Sequence, residues 1–331
     1  MKKALFLALS LAFLLTACGE TTPPDTSEQN PAGDMQETSL PESCLLYYDL
    51  GEASVLAEDK SLPFAQNAGD GYATSYSVWY DGEYQDLALQ DGDNGISVAD
   101  MTGGSATFDY GAGLVVWNGE RYHCAHLTAQ DSYIPNISPN IPGGILLLEI
   151  SGDCWADGGV SDVACFTGFG TVVICGSGTL RIGGAGIGVG GGNLPYLPSL
   201  ILDGVSFSSG AIFLNECAYS GAPALFVRSG SLETDTLVLS GDLCIAGGSG
   251  TVQYLDGVEN AVFRGGSFEV NQWGDTVIPR LILSGGDATC TDWLPQGTSI
   301  EVGAGTMTAN GIRYWDTVHV YDGGEIVDLM D

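Results

Sequence analysis

Positive charge is scarce in this chain. Lysine and arginine together number nine in 331 residues, against 41 aspartates and glutamates, and the formal net charge is −32. Such a surface repels nucleic acid, because binding a phosphate backbone draws its free energy from cations that displace counterions. It repels anionic glycans too unless a metal ion bridges the two. Helical periodicity is nearly absent after residue 60, which excludes a helical bundle. Glycine is abundant, at 49 residues, but has no three-residue period, which excludes collagen. Gly186, Gly188 and Gly191 fit a dinucleotide-binding spacing, yet Pro195 and Pro198 stand where the required helix would run. No helix N-terminus is then available to face a pyrophosphate, and no lysine follows to hold a phosphate. Gly186, Gly188 and Gly191 therefore read as a wide turn between strands.

What is present is a signal, a tether and a repeat. Lys2 and Lys3 precede the apolar run Ala4 to Leu15, too short to span a bilayer comfortably and placed as a secretory signal. The run closes on Leu15-Thr16-Ala17-Cys18, which resembles the bacterial lipobox. That resemblance implies cleavage after residue 17 and a diacylglycerol on the Cys18 sulfur. Two acyl chains suffice for durable anchorage. The anchor predicts an extracytoplasmic protein tied to a bacterial membrane or cell surface. Residues 18–43 are rich in Pro, Ser, Thr and acid, with little to bury, and are expected to form a disordered tether.

The repeat governs the rest. "LEISGD" from Leu148 matches "LVLSGD" from Leu237, and "LILDGV" from Leu200 matches "LILSGG" from Leu281. A second element reads glycine, polar, apolar: "GTLRI" from Gly178, "GVSF" from Gly204, "GSLET" from Gly230 and "GSFEV" from Gly266, with later copies at Gly286, Gly305 and Gly324. Over most of this stretch the interval between neighbouring copies falls in the range of stacked supersecondary units. Within a unit the residues alternate: Leu180 and Ile182 face one way, Thr179 and Arg181 the other. Short alternating strands that end in glycine and stack about a buried interior make an all-β chain, a parallel β-helix. It is expected over 141–331. Residues 44–140 read as a β-rich N-terminal cap, with a hairpin centred on Asn118-Gly119.

The strings "VVICGSGTLRIGG", "LPSLILDGVSFSSGAIFL" and "APALFVRSGSLETDTLVLSGD" resemble the bacterial surface lipoproteins that carry a carbohydrate-binding domain, from about Ile145 to Gly286. The resemblance implies a right-handed helix of pectate-lyase-like shape and a polysaccharide or other glycan as partner. It does not imply catalysis. Pectin-cleaving enzymes of that shape carry Asp-Asp, Gly-His-Gly or Arg-x-Lys pieces, or arginine-rich strings, and this chain has none. A non-catalytic glycan-binding lipoprotein is the expected function. A structural or adhesive protein with a protein partner, and a polysaccharide lyase or hydrolase, are the alternatives.

Several residues suit such a role. Trp155, Trp273, Trp293 and Trp315 each lie beside an acid near a turn, where an indole face can cover the apolar side of a sugar. The last three follow one another at intervals close to one coil and are expected to form an exposed row. Asp153, Asp157 and Asp162 share one loop and offer hard oxygen ligands suited to calcium as a cofactor. His123 and His126 flank Cys124 but face opposite ways on a strand, so they do not form a zinc pair. Ser206 and Ser208 miss the G-x-S-x-G elbow. The cysteines other than Cys18 include several within apolar strands spaced about one coil apart, which favours small buried residues stacked in the interior.

Overall fold

The computed structural model describes strands Ser54–Leu56, Ser75–Tyr80, Glu83–Ala88 and Thr107–Trp117, and then residues 120–329 apart from 135–136, 140–144, 158–164, 167, 190–196, 215–222 and 275–276. The secretory signal, the tether, Cys18, Gly191 and Asp162 lie outside these residues. Among the described residues there is no α-helix, only a single 3-10 turn, Ile312–Tyr314. Among the described residues twenty-one strands belong to one hydrogen-bonded sheet system, and from residue 120 onward its pairings are parallel apart from those of the leading hairpin.

Strand register shows how the chain winds. Leu146 pairs with Val172, Val172 with Leu200, Leu200 with Leu225, and Leu225 with Leu243. Leu243 pairs with Ala261, Ala261 with Leu281, Leu281 with Ile300, and Ile300 with Val318. Each step is one coil of a parallel β-helix. The coil from Val172 to Leu200 is the longest of these, and those from Leu225 to Leu243 and from Leu243 to Ala261 are short and equal. A second sheet stacks Cys154, Leu180, Phe207, Leu232, Gly250, Phe268, Ala288, Met307 and Ile326 in the same way. A third, shorter sheet stacks Ile187, Ile212, Leu237, Leu255 and Trp273.

These ladders point inward and make one continuous apolar column. Burying each leucine or isoleucine there stabilises the fold by about 1.5–3 kcal/mol before entropy is counted. Where the backbone leaves one sheet for the next, glycine is required. Gly266 has φ of 79°, and a Cβ there would collide with the Gly248 carbonyl oxygen one coil below. Gly248 also explains the long gap between the sequence copies at Gly230 and Gly266. The interval holds two equal coils, Leu232 to Gly250 and Gly250 to Phe268, and the second opens with Gly248-Ser249.

As far as Ile282 the middle of the first sheet is buried on both sides. Its outward residues Leu147, Val173, Ile201, Phe226, Cys244, Val262 and Ile282 form a second apolar cluster with Val115, Trp117 and Leu197. The Trp117 and Phe226 rings pack nearly at right angles with centroids 5.0 Å apart. Both sides being dry accounts for unbroken runs such as "LIL" and "AVF", where a sheet wet on one side would alternate.

Three expectations change in detail. Parallel pairing begins at Ala125 with Leu146, so the helix starts one coil before residue 141. The hairpin pairs Trp117 with Glu120 as expected, and its second strand is itself the first strand of the helix. Gly188 sits within strand Ile187–Val189, which leaves Gly186, at φ of 80°, as a turn residue. The six described cysteines are all buried. Cys154, Cys165 and Cys290 line the interior, whereas Cys124, Cys175 and Cys244 lie on the outer side of the first sheet, because they occupy the opposite phase of the strand alternation.

Candidate functional site

The second sheet differs from the first on its outer side. In each coil a residue one or two places past the turn glycine, and the one two further on, point to solvent, because side chains alternate along a strand. Stacking in register turns these positions into columns. One column runs Asp153, Thr179, Ser206, Ser231, Ser249, Ser267, Asp287, Thr306. Its neighbour runs Trp155, Arg181, Ser208, Glu233, Thr251, Glu269, Thr289, Thr308. Small hydroxyls and carboxylates dominate both, so the face is polar and presents donors and acceptors at every coil.

Hydrogen bonds between coils hold these groups in place. Ser231 donates from its hydroxyl to the Ser206 hydroxyl at 2.9 Å. At the corner beyond the second column, Asn271 bonds to Gln253, Thr291 donates to the Asn271 side-chain oxygen at 3.0 Å, and Asn310 donates to the Thr291 carbonyl at 3.2 Å. Inside the same corner the Ser209 and Thr234 hydroxyls donate to the carbonyls of Ala211 and Thr236. Those two hydroxyls therefore fix the turn and leave the outer groups to meet a ligand.

Two shallow hollows lie side by side on this face. Arg181, Ser206, Ser208, Ser231, Glu233 and Thr251 line the first. Ser208, Gly210, Glu233 and Asp235 line the second, which is open above Gly210: a Cβ there would meet nothing within 4 Å. At the head of the face stands Trp155, 49% exposed, with the Tyr133 ring tilted against it at 6.3 Å between centroids. The Arg181 guanidinium lies 3.9 Å from Asp153, both well exposed. An ion pair of that kind contributes little to stability, and the arginine stays free to turn toward a ligand.

Trp273, Trp293 and Trp315 do not form an exposed row. Trp293 is 46% exposed, but Trp273 and Trp315 are 9% and 6% exposed and belong to the interior. Trp273 continues the inward ladder of the third sheet above Leu255, and the Trp315 ring fills the space over Gly297. One-coil spacing places residues above one another but does not decide which way they point; the phase of the strand does. Trp293 instead meets Tyr314 at 5.7 Å, and the Arg313 guanidinium lies 5.1 Å from the Tyr314 ring centroid.

Of the expected calcium trio only the Asp153 side chain lies among the described residues. Asp153 faces Arg181, while Asp162 and the Asp157 side chain fall outside the described residues. Among the described residues no group of three or more His, Cys, Asp or Glu is placed to hold a metal. Burial pushes the thiols of Cys175, Cys244 and Cys290 up to about 12 and raises that of Cys124 as well, which makes these four poor nucleophiles. His126 is buried and contacts Glu149 at 3.2 Å, on the outer side of the first sheet and away from the hydroxyl face.

Compared with protein-family models, with curated proteins and with solved structures, the chain finds no match in any of the three. The face itself is visible in the sequence once the coils are aligned. Its signal is the pair of polar positions in "GSLE", "GSFE" and "GTMT", which a search for aromatic residues alone passes over.

Proposed function

We propose that this chain is a non-catalytic polysaccharide-binding protein, held at a bacterial surface by lipid on Cys18, and that the glycan lies on the outer face of the second sheet. The observation that carries this reading is the half-exposed Trp155 at the head of an in-register field of hydroxyls and carboxylates. An indole covers the C–H face of a pyranose, and Ser206, Ser208, Ser231 and Glu233 supply partners for its hydroxyls. Glu233, Asp235 and Glu269 set a negative field over the same ground, which favours neutral sugars over uronic acids. The aligned polar groups stand on strands, which hold them more rigidly than loops do.

Retention of the full chain on insoluble polysaccharides, chosen by a glycan array, tests the reading. Trp155→Ala together with Ser208→Ala should reduce retention to background while the thermal midpoint stays put. Retention that survives the double substitution, or an array without a hit, sinks it. Labelled palmitate should enter the wild type and not Cys18→Ala; equal labelling would remove the anchor from the proposal.

One observation favours a second reading, an adhesive or structural protein with a protein partner. Strands Thr317–Val320 and Gly324–Asp328 pair on one side only among the described residues, and Val318 and Val320 are exposed although they stand in the inward ladder. A free strand edge with apolar residues accepts an added strand. Binding of a protein but of no glycan would select this reading.

A further inference from the structure

Trp155 is not the only exposed aromatic platform. Trp293 and Tyr314 form another, both about half exposed, with Arg313 donating to the Tyr314 hydroxyl at 3.2 Å. It stands on a firm base, since Gly311 packs under the Trp293 ring and leaves no room for a Cβ, which would lie 2.8 Å from the indole. The two platforms are joined by a polar track. From Trp155 the register passes through Arg181, Ser208 and Glu233 into the second column. The hydrogen-bonded corner ladder of Gln253, Asn271 and Thr291 then leads to Trp293, a little further along the same strand as Thr291.

The separation follows from the coil count. Six strand-to-strand steps divide the strand of Trp155 from the strand of Trp293. At ~4.8 Å each they span about 29 Å along the helix axis. That length suits an extended β-1,4-linked chain of several sugars, whose advance per residue is close to one strand spacing. A coiled α-linked glucan would curve off a straight track.

Resting on the glycan reading above, we propose that Trp293, Tyr314 and Arg313 form a second glycan subsite that acts together with Trp155 and Tyr133. The ligand is then an extended, neutral, linear glycan that advances along the helix axis while crossing obliquely from the second column to the corner, and is long enough to reach both platforms. Joining two weak contacts through one ligand raises affinity steeply once the ligand spans both, and not before.

Calorimetry with β-1,4-linked glucan, mannan and xylan oligosaccharides, from disaccharides to octasaccharides, on the full chain, tests this. Affinity in the series that binds should climb by about 10²-fold from the disaccharide to the longest oligosaccharides. Trp293→Ala and Tyr314→Ala should each remove most of that gain and leave disaccharide binding at the Trp155 platform unchanged, and Trp293→Phe should restore part of it. Both platform residues are exposed, so equal thermal midpoints serve as the folding control. Affinity independent of length, or a longest oligosaccharide indifferent to both alanine variants, overturns the second subsite while leaving glycan binding in place. No binding of any oligosaccharide to the wild-type chain overturns the glycan reading and the second subsite together.

Discussion

Strand Ser249–Phe263 takes part in both major sheets, and its two ends have opposite surroundings. At Thr251, on the second sheet, the outward residue meets solvent and polar neighbours one coil away. At Val262, on the first sheet, the outward residue is completely buried beneath a second apolar cluster. Backbone pairing and coil geometry are the same at the two places, so the covering layer makes the difference. The first sheet has its outer face covered along most of its length, and the second leaves its outer face to solvent. This contrast is why the proposed glycan surface occupies a single side of the helix.

Substitutions can break the contrast in order of size. Val262→Asp places a carboxylate in a dry site with no partner and should leave no folded chain at room temperature, a loss above about 5 kcal/mol by chemical denaturation. Phe226→Ala removes the ring under Trp117 and should cost about 3–5 kcal/mol, read as a drop in denaturation midpoint with unchanged slope. A smaller loss would mean that the hairpin hardly braces the first sheet.

Alkaline pH gives a gentler probe of the same dry layers. Cys175, Cys244 and Cys290 ionise near 12 when folded, against an ordinary value of 9.0. Below about pH 9 the thiols are protonated in both states and have no effect. Between about 9 and 12 the unfolded chain releases protons that the folded chain keeps, so stability should fall as pH rises through that window. A thiol reagent at mildly alkaline pH should label these cysteines only after denaturant is added, and rapid labelling of the native chain would contradict their burial. Least of all, Thr251→Asn should change stability by no more than about 0.5 kcal/mol, while glycan retention registers the change.

The sequence and the structure agree most where a residue's phase on its strand is unambiguous. Alternation in "GTLRIG" places Leu180 and Ile182 inside and Thr179 and Arg181 outside, as the structure does. The first sheet is harder to read, because an unbroken run such as Leu200-Ile201-Leu202 carries no phase of its own. Its covering by Trp117 depends on a contact with Phe226, far along the chain. The tryptophans show the limit of spacing arguments: Trp273 and Trp293 are about one coil apart, yet one continues an inward ladder and the other turns outward where the third sheet ends. Tyr133 and Tyr314 carry no signal of their own in the sequence, because each matters only through a ring contact with a tryptophan about one coil away.

The even coils in the middle of the helix have a practical consequence. Because Leu225, Leu243 and Ala261 follow one another in register, excising 243–260 would join Asp242 to Ala261 with no change of phase. The molecule would become shorter by one step, about 5 Å, with both ends intact. Its length is thus a digital quantity, counted in windings, and the protein can serve as a ruler whose graduations evolution or a designer adds and removes one at a time.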